Sequence, residues 1–600
     1  MLRSNTGAGA QPDTRIAQHS IRRLPLEVLL ELFVVFQQLD PRPSHLLRIS
    51  HVCRQWRQLI HGFSRFWSGL DLCVSNPEID LQAAYWLERA GQQLLCISIR
   101  HDGSNEPDGI ISKSTLLRLV HILRPSVPRW VSFLAQFLPS YAELFFEECR
   151  GPASRLRLFS IELVGPVYDH DILMPKSILL GSDPDTTPNA SNEVWVHAIR
   201  CIPIFAPLGS RVTDLQLHIG GPIGFVSADD LLAMISSCPN ITRLHLIGPR
   251  GQTLSEPLRE ESVVLPHLVE LEIKCIREVD FLLRHTTFPT LRSLVLMGFE
   301  WCSEIVDILD HVFRTCESLA AVELRHGFDE GFSPGAISSN PIVATSLVKF
   351  HMDVDPIALP LLRLLVIPNV RDLDIRNAPF EIVHWLCSHS NFLHAASFSA
   401  ISHLPPPHQI TSFPTLASLY ISDTPQLLDH VQTPRLENLT VCGVSNRSSH
   451  LKSSLRSLIE RSGPALLTLQ LTHLVVADRD LVWCLQRLPL ITRLDITACS
   501  VTDTLLRSLS TPISTEQGTE WLLPRLKSIV LAGNSHMTPS GVIVFLKSRN
   551  SPHHLETNST RPPRVASDVT FAASAHVEEG AMAEIRVSSL PPLSLRRLQL

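Results

Sequence analysis

Paired cysteines are the first thing this 600-residue sequence lacks: its 13 cysteines are scattered singly, with no Cys-x-x-Cys anywhere. That excludes the common paired-thiolate zinc and redox motifs and favours a reduced chain with buried free thiols over a disulfide framework. Neither sign of charge dominates. The 52 Lys and Arg stand against 58 Asp and Glu, a net charge of −6, which argues against a dedicated nucleic-acid binder, since those carry a basic excess. No long hydrophobic run exists either. The most apolar window, Pro356 to Val370, is broken by Arg363 and by prolines, well short of the ~18–20 residues that span a bilayer. The first twenty residues hold no apolar stretch of signal-peptide type, so the expected location is cytoplasmic and/or nuclear, with no membrane contact. Aromatics make up only 6% of a chain that is 44% hydrophobic, so aliphatic side chains must build the core. Prolines (44) outnumber glycines (26), which points to many short elements separated by breaks.

Catalytic constellations are missing as well. There is no Gly-x-x-x-x-Gly-Lys-Ser/Thr or Gly-x-Gly-x-x-Gly loop to cradle phosphates, no Gly-x-Ser-x-Gly nucleophile elbow and no His-Glu-x-x-His helix. The 27 histidines are dispersed, and acidic pairs such as Glu147-Glu148 and Asp229-Asp230 suit helix surfaces or helix starts. The expectation is a protein that is not an enzyme, with no catalytic residue, metal ligand or cofactor.

What is present is periodicity. Six hundred residues exceed what one compact core usually accommodates, so several domains or an open-ended repeat must account for the length. From residue 212 onward, apolar residues recur at i, i+3 and i+5: Ile241, Leu244, Leu246; Leu291, Leu294, Leu296; Leu416, Leu419, Ile421; Ile491, Leu494, Ile496; and Leu526, Ile529, Leu531 are typical. Faint copies appear earlier, at Leu94, Ile97, Ile99 and at Leu156, Phe159, Ile161. The starts fall mostly about 20–30 residues apart, the period of a leucine-rich repeat. The last two positions of each frame alternate and so face one side of a strand. The Asn or Cys expected after the strand stands at Cys499 and Asn534, whereas several other units carry Gly, Asn, Asp or Cys one place earlier. Ordinary strands of an α/β sheet are the alternative, but they have no reason to keep one period over so long a stretch. Residues 101–150 fit no frame in this scheme; they combine a polar loop with apolar helical runs broken by Pro125, Pro128 and Pro139.

Ahead of the repeat, residues 21–70 have helical periodicity. Val28, Leu29, Leu32, Phe33 and Phe36 form one broad apolar stripe behind Leu24-Pro25, and a second helix follows Asp40-Pro41-Arg42-Pro43. Fifty residues with so small a core carry surplus apolar surface, which suits docking to a partner or to the rest of the chain. Leu24-Pro25-Leu26-Glu27-Val28-Leu29, then Val52-Cys53-Arg54-Gln55-Trp56, then Phe66-Trp67 resemble the F-box. The likeness covers about 50 of 600 residues, and the layout, including Tyr85-Trp86-Leu87-Glu88-Arg89-Ala90-Gly91, is similar to the large F-box families of mushroom-forming fungi.

The resemblance implies that the first domain binds the Skp adaptor of a cullin–RING ubiquitin ligase, with Leu24, Pro25, Val28, Leu29, Leu32, Val52, Cys53 and Trp56 at the interface. The alternative, that Leu32, Val52 and Trp56 only fill the domain's own core, stays open here. It further implies a target protein on the repeat's strand face, where His245, Glu272, Glu323, His351, Asp374, Tyr420, Gln470 and Asp495 stand between the apolar positions. The expected fold is α/β: a small three-helix F-box followed by an irregular leucine-rich-repeat solenoid of parallel strands. The expected division is a disordered tail (1–20), the F-box (21–70), a linker region with the first degenerate repeats (71–200) and the repeat domain (201–550). A disordered insertion (551–585) and a terminal strand or truncated repeat (586–600) complete it. The expected function is a substrate-recognition subunit of an SCF (Skp–cullin–F-box) ligase; a leucine-rich scaffold without a ligase role is the alternative.

Overall fold

Among the described residues, the apolar frames become turns followed by strands in the computed structural model of the chain. Ile491 closes a turn, and Leu494 and Ile496 then point inward from the strand Arg493–Thr497 while its other residues face out. The period-two alternation of a strand dictates this split. The structure describes residues 24–39, 43–101, 112–164, 175–178, 180–181, 193–206, 208–219, 225–258, 262–326, 340–404, 409–443, 451–515, 518–550 and 568–570. The expected tail at 1–20 and the terminal segment 586–600 lie outside them. Among the described residues no helix is long and apolar enough to cross a membrane.

The described residues fall into two compact units, one ending at residue 268 but including 285–287, the other formed by 269–284 and the residues after 287. The first opens with three helices, α1 (Leu26–Leu39), α2 (Pro43–Ser50) and α3 (Arg54–Gly62). A parallel ladder follows: β1 (Gly69–Cys73), β2 (Leu95–Arg100), β3 (Trp130–Phe137), β4 (Leu158–Leu163), β5 (Val194–Ile199), β6 (Val212–His218) and β7 (Arg243–Ser255). Its register lines up Leu70, Ile97, Phe133, Phe159, Val196, Leu215 and Leu244 as one buried row.

Strand pairing therefore runs through residues 71–200, which the sequence suggested were a linker with only faint repeats. The clearest correction is β3, inside a stretch expected to fit no frame. Trp130, Phe133 and Ala135 keep the i, i+3, i+5 spacing and are buried, but with two aromatic side chains and an alanine in place of branched aliphatics. Pro125 and Pro128 sit in a 3-10 turn, and Pro139 starts a helix, where its missing N–H costs nothing.

The second unit repeats the ladder: β8 (Glu270–Arg277), β9 (Ser293–Phe299), β10 (Ala321–His326), β11 (Lys349–Asp353), β12 (Asp372–Arg376), β13 (Ala395–Ser399) and β14 (Ser418–Ser422). It continues through β15 (Asn438–Cys442), β16 (Thr468–Thr472), β17 (Arg493–Thr497), β18 (Ser528–Val530) and β19 (Asp568–Thr570). All of these pairs are parallel. The strand at 568–570 lies within the segment expected to be a disordered insertion; its backbone finds hydrogen-bonding partners along Ser528–Val530.

Many strands have a positive-φ residue at or near their end: Asn377, Ala400, Asp423, His473 and Ala498 stand just past theirs, Gly533 three residues beyond Val530, and Cys275 and Gly298 near the ends of β8 and β9. This is the slot one place before Cys499 and Asn534. A left-handed residue turns the chain sharply off the sheet, and Gly, Asn and Asp tolerate that conformation best. The recurrent Gly, Asn and Asp one place early thus follow from backbone geometry.

Candidate functional site

The domain at the N-terminus has a small core and a large uncovered stripe. Phe33 is buried, with its ring edge-on to Trp56 at 5.1 Å and to Phe66 at 6.4 Å. Leu29, Leu46, Leu59 and Ile60 complete the core, and the Trp67 indole donates to the Ile60 carbonyl at 2.8 Å. Leu29 thus packs inside the domain, and it sets the pose of α1 without forming part of an outer surface. Val28 and Leu32, one turn apart, are 42% and 50% exposed; Val35 at the next turn, Leu26 and Phe36 are also exposed. Val52, between α2 and α3, is 64% exposed. Pro25 is exposed and Leu24 half-buried.

Cys53 has a local task as well. It is the N-cap of α3, its sulfur accepting the Trp56 N–H at 3.4 Å, which satisfies one of the helix's orphan donors. Trp56 is half-buried, one part of it on Phe33 and the rest open. The structure therefore separates the eight expected interface residues into a core member (Leu29), a cap (Cys53), a half-buried pair (Leu24, Trp56) and an open set (Pro25, Val28, Leu32, Val52). Leu26 and Val35, which that set did not include, extend the open stripe.

The motif around Tyr85 braces this domain from behind. Tyr85 and Arg89 lie on the helix Ile79–Ala90. The Arg89 guanidinium sits 4.4 Å from the Tyr85 ring centroid and 5.5 Å from that of Trp67. The Tyr85 hydroxyl lies 3.2 Å from Nδ1 of His61, and Gln93 donates to Ser64. Burial and the nearby Arg89 and Arg57 charges hold the His61 imidazole below its ordinary pKa.

The expected target residues occupy one side of the ladders. In the second unit, cross-strand register places Glu272, Val295, Glu323, His351, Asp374, Ser397, Tyr420, Thr440, Gln470, Asp495 and Val530 in a single row. Its charges are largely matched within the chain. Glu272 pairs with Lys274, and Arg325 reaches Glu323 at 2.7 Å and Asp374 at 3.7 Å. Arg376 meets Asp374 at 3.0 Å, and Nε2 of His351 lies 3.3 Å from the Asp372 carboxylate. Asp374 is buried under these guanidinium groups. Farther along, Thr440 donates to Gln470 and Thr497 to Asp495, while Tyr420 stays 39% exposed. His245 stands in the corresponding row of the first unit, opposite Gln216.

Among the described residues no group of three His, Cys, Asp or Glu side chains could hold a metal ion. Burial disfavours the thiolate: it pushes Cys149, Cys484 and the half-buried Cys302 up to about 12, and Cys238 and Cys499 to about 11.

Comparison with known families agrees with the helical domain. The F-box-like family model matches residues 21–73, so the N-terminal domain is similar to an F-box-like domain. No curated protein matches the chain.

Proposed function

We propose that this protein is the non-catalytic target-recognition subunit of an SCF-type ubiquitin ligase. In this reading the F-box-like domain docks on the Skp adaptor, and through it on the cullin–RING core, while a leucine-rich-repeat solenoid holds a target protein. The observation that carries it is the exposed stripe Val28, Leu32 and Val35 on α1, together with the exposed Val52 between α2 and α3. Four aliphatic side chains open to water on so small a domain are what an interlocking helical partner covers. The shared period of strand, left-handed turn and return segment supports the repeat assignment. The protein does no bond chemistry here; it raises the effective concentration of target lysines near the conjugating enzyme. The reading places it in the cytoplasm and/or nucleus.

The test is a pull-down of the full-length protein with purified Skp adaptor, comparing wild type with Leu32→Asp and Val52→Asp. Both side chains are exposed, so the variants should fold, as circular dichroism would check. Binding by wild type alone supports the ligase reading. Failure of folded wild type to bind the adaptor sinks it and leaves a scaffold with no ligase role.

A further inference from the structure

The outward side of the first unit's ladder carries an unusual group. Trp195, near the start of β5, is 54% exposed, with Leu158 as its register partner on β4; Leu134 on β3 is exposed in the next outward row, the one that holds Ser160 and His197. A tryptophan left open on a sheet face costs favourable burial and is the commonest kind of binding anchor. Beside it stand two imidazoles. The rings of His197 (β5) and His218 (β6) meet edge to face at 5.1 Å, and His245 on β7 follows across Gln216. The Gln216 amide nitrogen is 2.7 Å from Nε2 of His218, and Ser160 is 3.5 Å from Nδ1 of His197. With Nε2 of His218 accepting from that amide, its ring proton sits on Nδ1, as a donor.

Two of the acids around this group are paired with arginines, and the third, Glu162, faces His197. On β1 and β2, Asp71 takes Arg100; on β6 and β7, Asp214 takes Arg243. Glu162 on β4 accepts from Gln136 on β3 at 2.8 Å, and Arg200 follows β5 directly. Three arginines therefore balance three acids, and each proton taken up by an imidazole makes the face net positive.

We propose that this face captures an acidic, partly apolar segment of the target protein, with Trp195 and Leu134 seating an apolar side chain and His197 and His218 donating to carboxylates. The proposal rests on the target-recognition reading above and names the target's chemistry. A bound carboxylate favours the protonated imidazole, so binding takes up protons and tightens as pH falls.

The probe is a fluorescein-labelled peptide alternating Glu and Leu, titrated with the full-length protein and followed by anisotropy at about pH 6 and about pH 8, with a Lys–Leu peptide as the opposite-charge control. The Glu–Leu peptide should bind several-fold tighter at the lower pH, and Trp195→Ala should weaken it by roughly tenfold or more. His197→Gln with His218→Gln should remove most of the pH dependence. Leu134→Ser, a small exposed change, serves if Trp195→Ala fails to fold, and should also weaken binding. Equal binding of the Lys–Leu peptide, no binding of either peptide, or wild-type affinity in the folded Trp195 or Leu134 variant would overturn the proposal. Skp adaptor binding measured on the same samples should survive Trp195→Ala. Loss of adaptor binding in wild type, with peptide capture intact, would remove the ligase reading and leave this site standing.

Discussion

Asn534 and Cys499 lock two successive strand turns together: the Asn534 side-chain oxygen accepts the Cys499 N–H at 2.8 Å, and its amide donates to the Ile496 carbonyl at 2.7 Å. Cys499 itself passes the link on, its thiol donating to the Leu471 carbonyl at 3.5 Å. Buried polar groups of these two turns are thus satisfied by a side chain from the following repeat. Asn534→Ala leaves a buried N–H and a buried carbonyl unpaired, each costing about 1–3 kcal/mol. Hydrogen exchange should show the loss of protection concentrated around residues 496–499, and an unchanged exchange pattern there would refute the link.

The left-handed slot makes a graded prediction. At Gly533 an added Cβ would meet Ala498 only at ordinary contact distance, 3.6 Å, so Gly533→Ala costs just the left-handed backbone, about 1–2 kcal/mol. At Gly298 the same atom would come within 3.2 Å of the Cys275 backbone. Gly298→Ala should therefore cost more than Gly533→Ala in urea unfolding. Ala498→Gly, at φ 52, should be neutral or mildly stabilising.

Core and surface of the F-box-like domain should respond oppositely. Phe33 is 4% exposed between Trp56 and Phe66, so Phe33→Ala costs about 3–5 kcal/mol and unfolds so small a domain. Leu32→Ser, at the neighbouring exposed position, should shift stability by no more than about 0.5 kcal/mol while abolishing adaptor binding. Equal destabilisation by the two variants would contradict the assignment of faces.

Stability of the first unit should fall in mild acid. Burial holds the His197 and His218 imidazoles below the ordinary value of 6.5, with the His197 charge adding to the effect on His218. The unfolded chain then takes up protons first as pH drops. Stability is full above about 6.5 and is lost as pH falls through the lowered folded values. His197→Gln with His218→Gln should flatten urea midpoints between about pH 7 and about pH 5.5. His61, lowered in the same direction, leaves a residual slope. A double variant as steep as wild type would rule out these two groups as its source.

The strand ladder was legible because its signal is local: a frame such as Leu469 and Leu471 names its own buried positions by alternation. The strand Trp130–Phe137 was less legible because its frame, Trp130, Phe133 and Ala135, holds no branched aliphatic residue. Arg549 marks the opposite limit. A basic residue near the end of a helix suits a solvated surface, yet this one is 1% exposed, its guanidinium donating to the carbonyls of Leu509, Leu522 and Leu523. Burial without a carboxylate lowers its pKa to about 10.

The open stripe of α1 was legible only as an apolar helix. Val28, Leu29, Leu32 and Phe33 belong to one residue class, and which two stay open depends on where α2 and α3 pack. The same holds for the outward rows. Alternation alone placed Glu272, Glu323, His351 and Asp374 on one side of their strands, with Arg376 two residues along from Asp374, but the packing of the strands brought Arg325 within reach of Asp374 and His197 against His218. The sequence by itself determined the period, the buried rows and the F-box-like motif, since these rest on spacings of a few residues. Only the tertiary structure decided which apolar side chains remain open and which residues of different strands meet, because those depend on neighbours one or more repeat periods, about 20–30 residues each, along the chain.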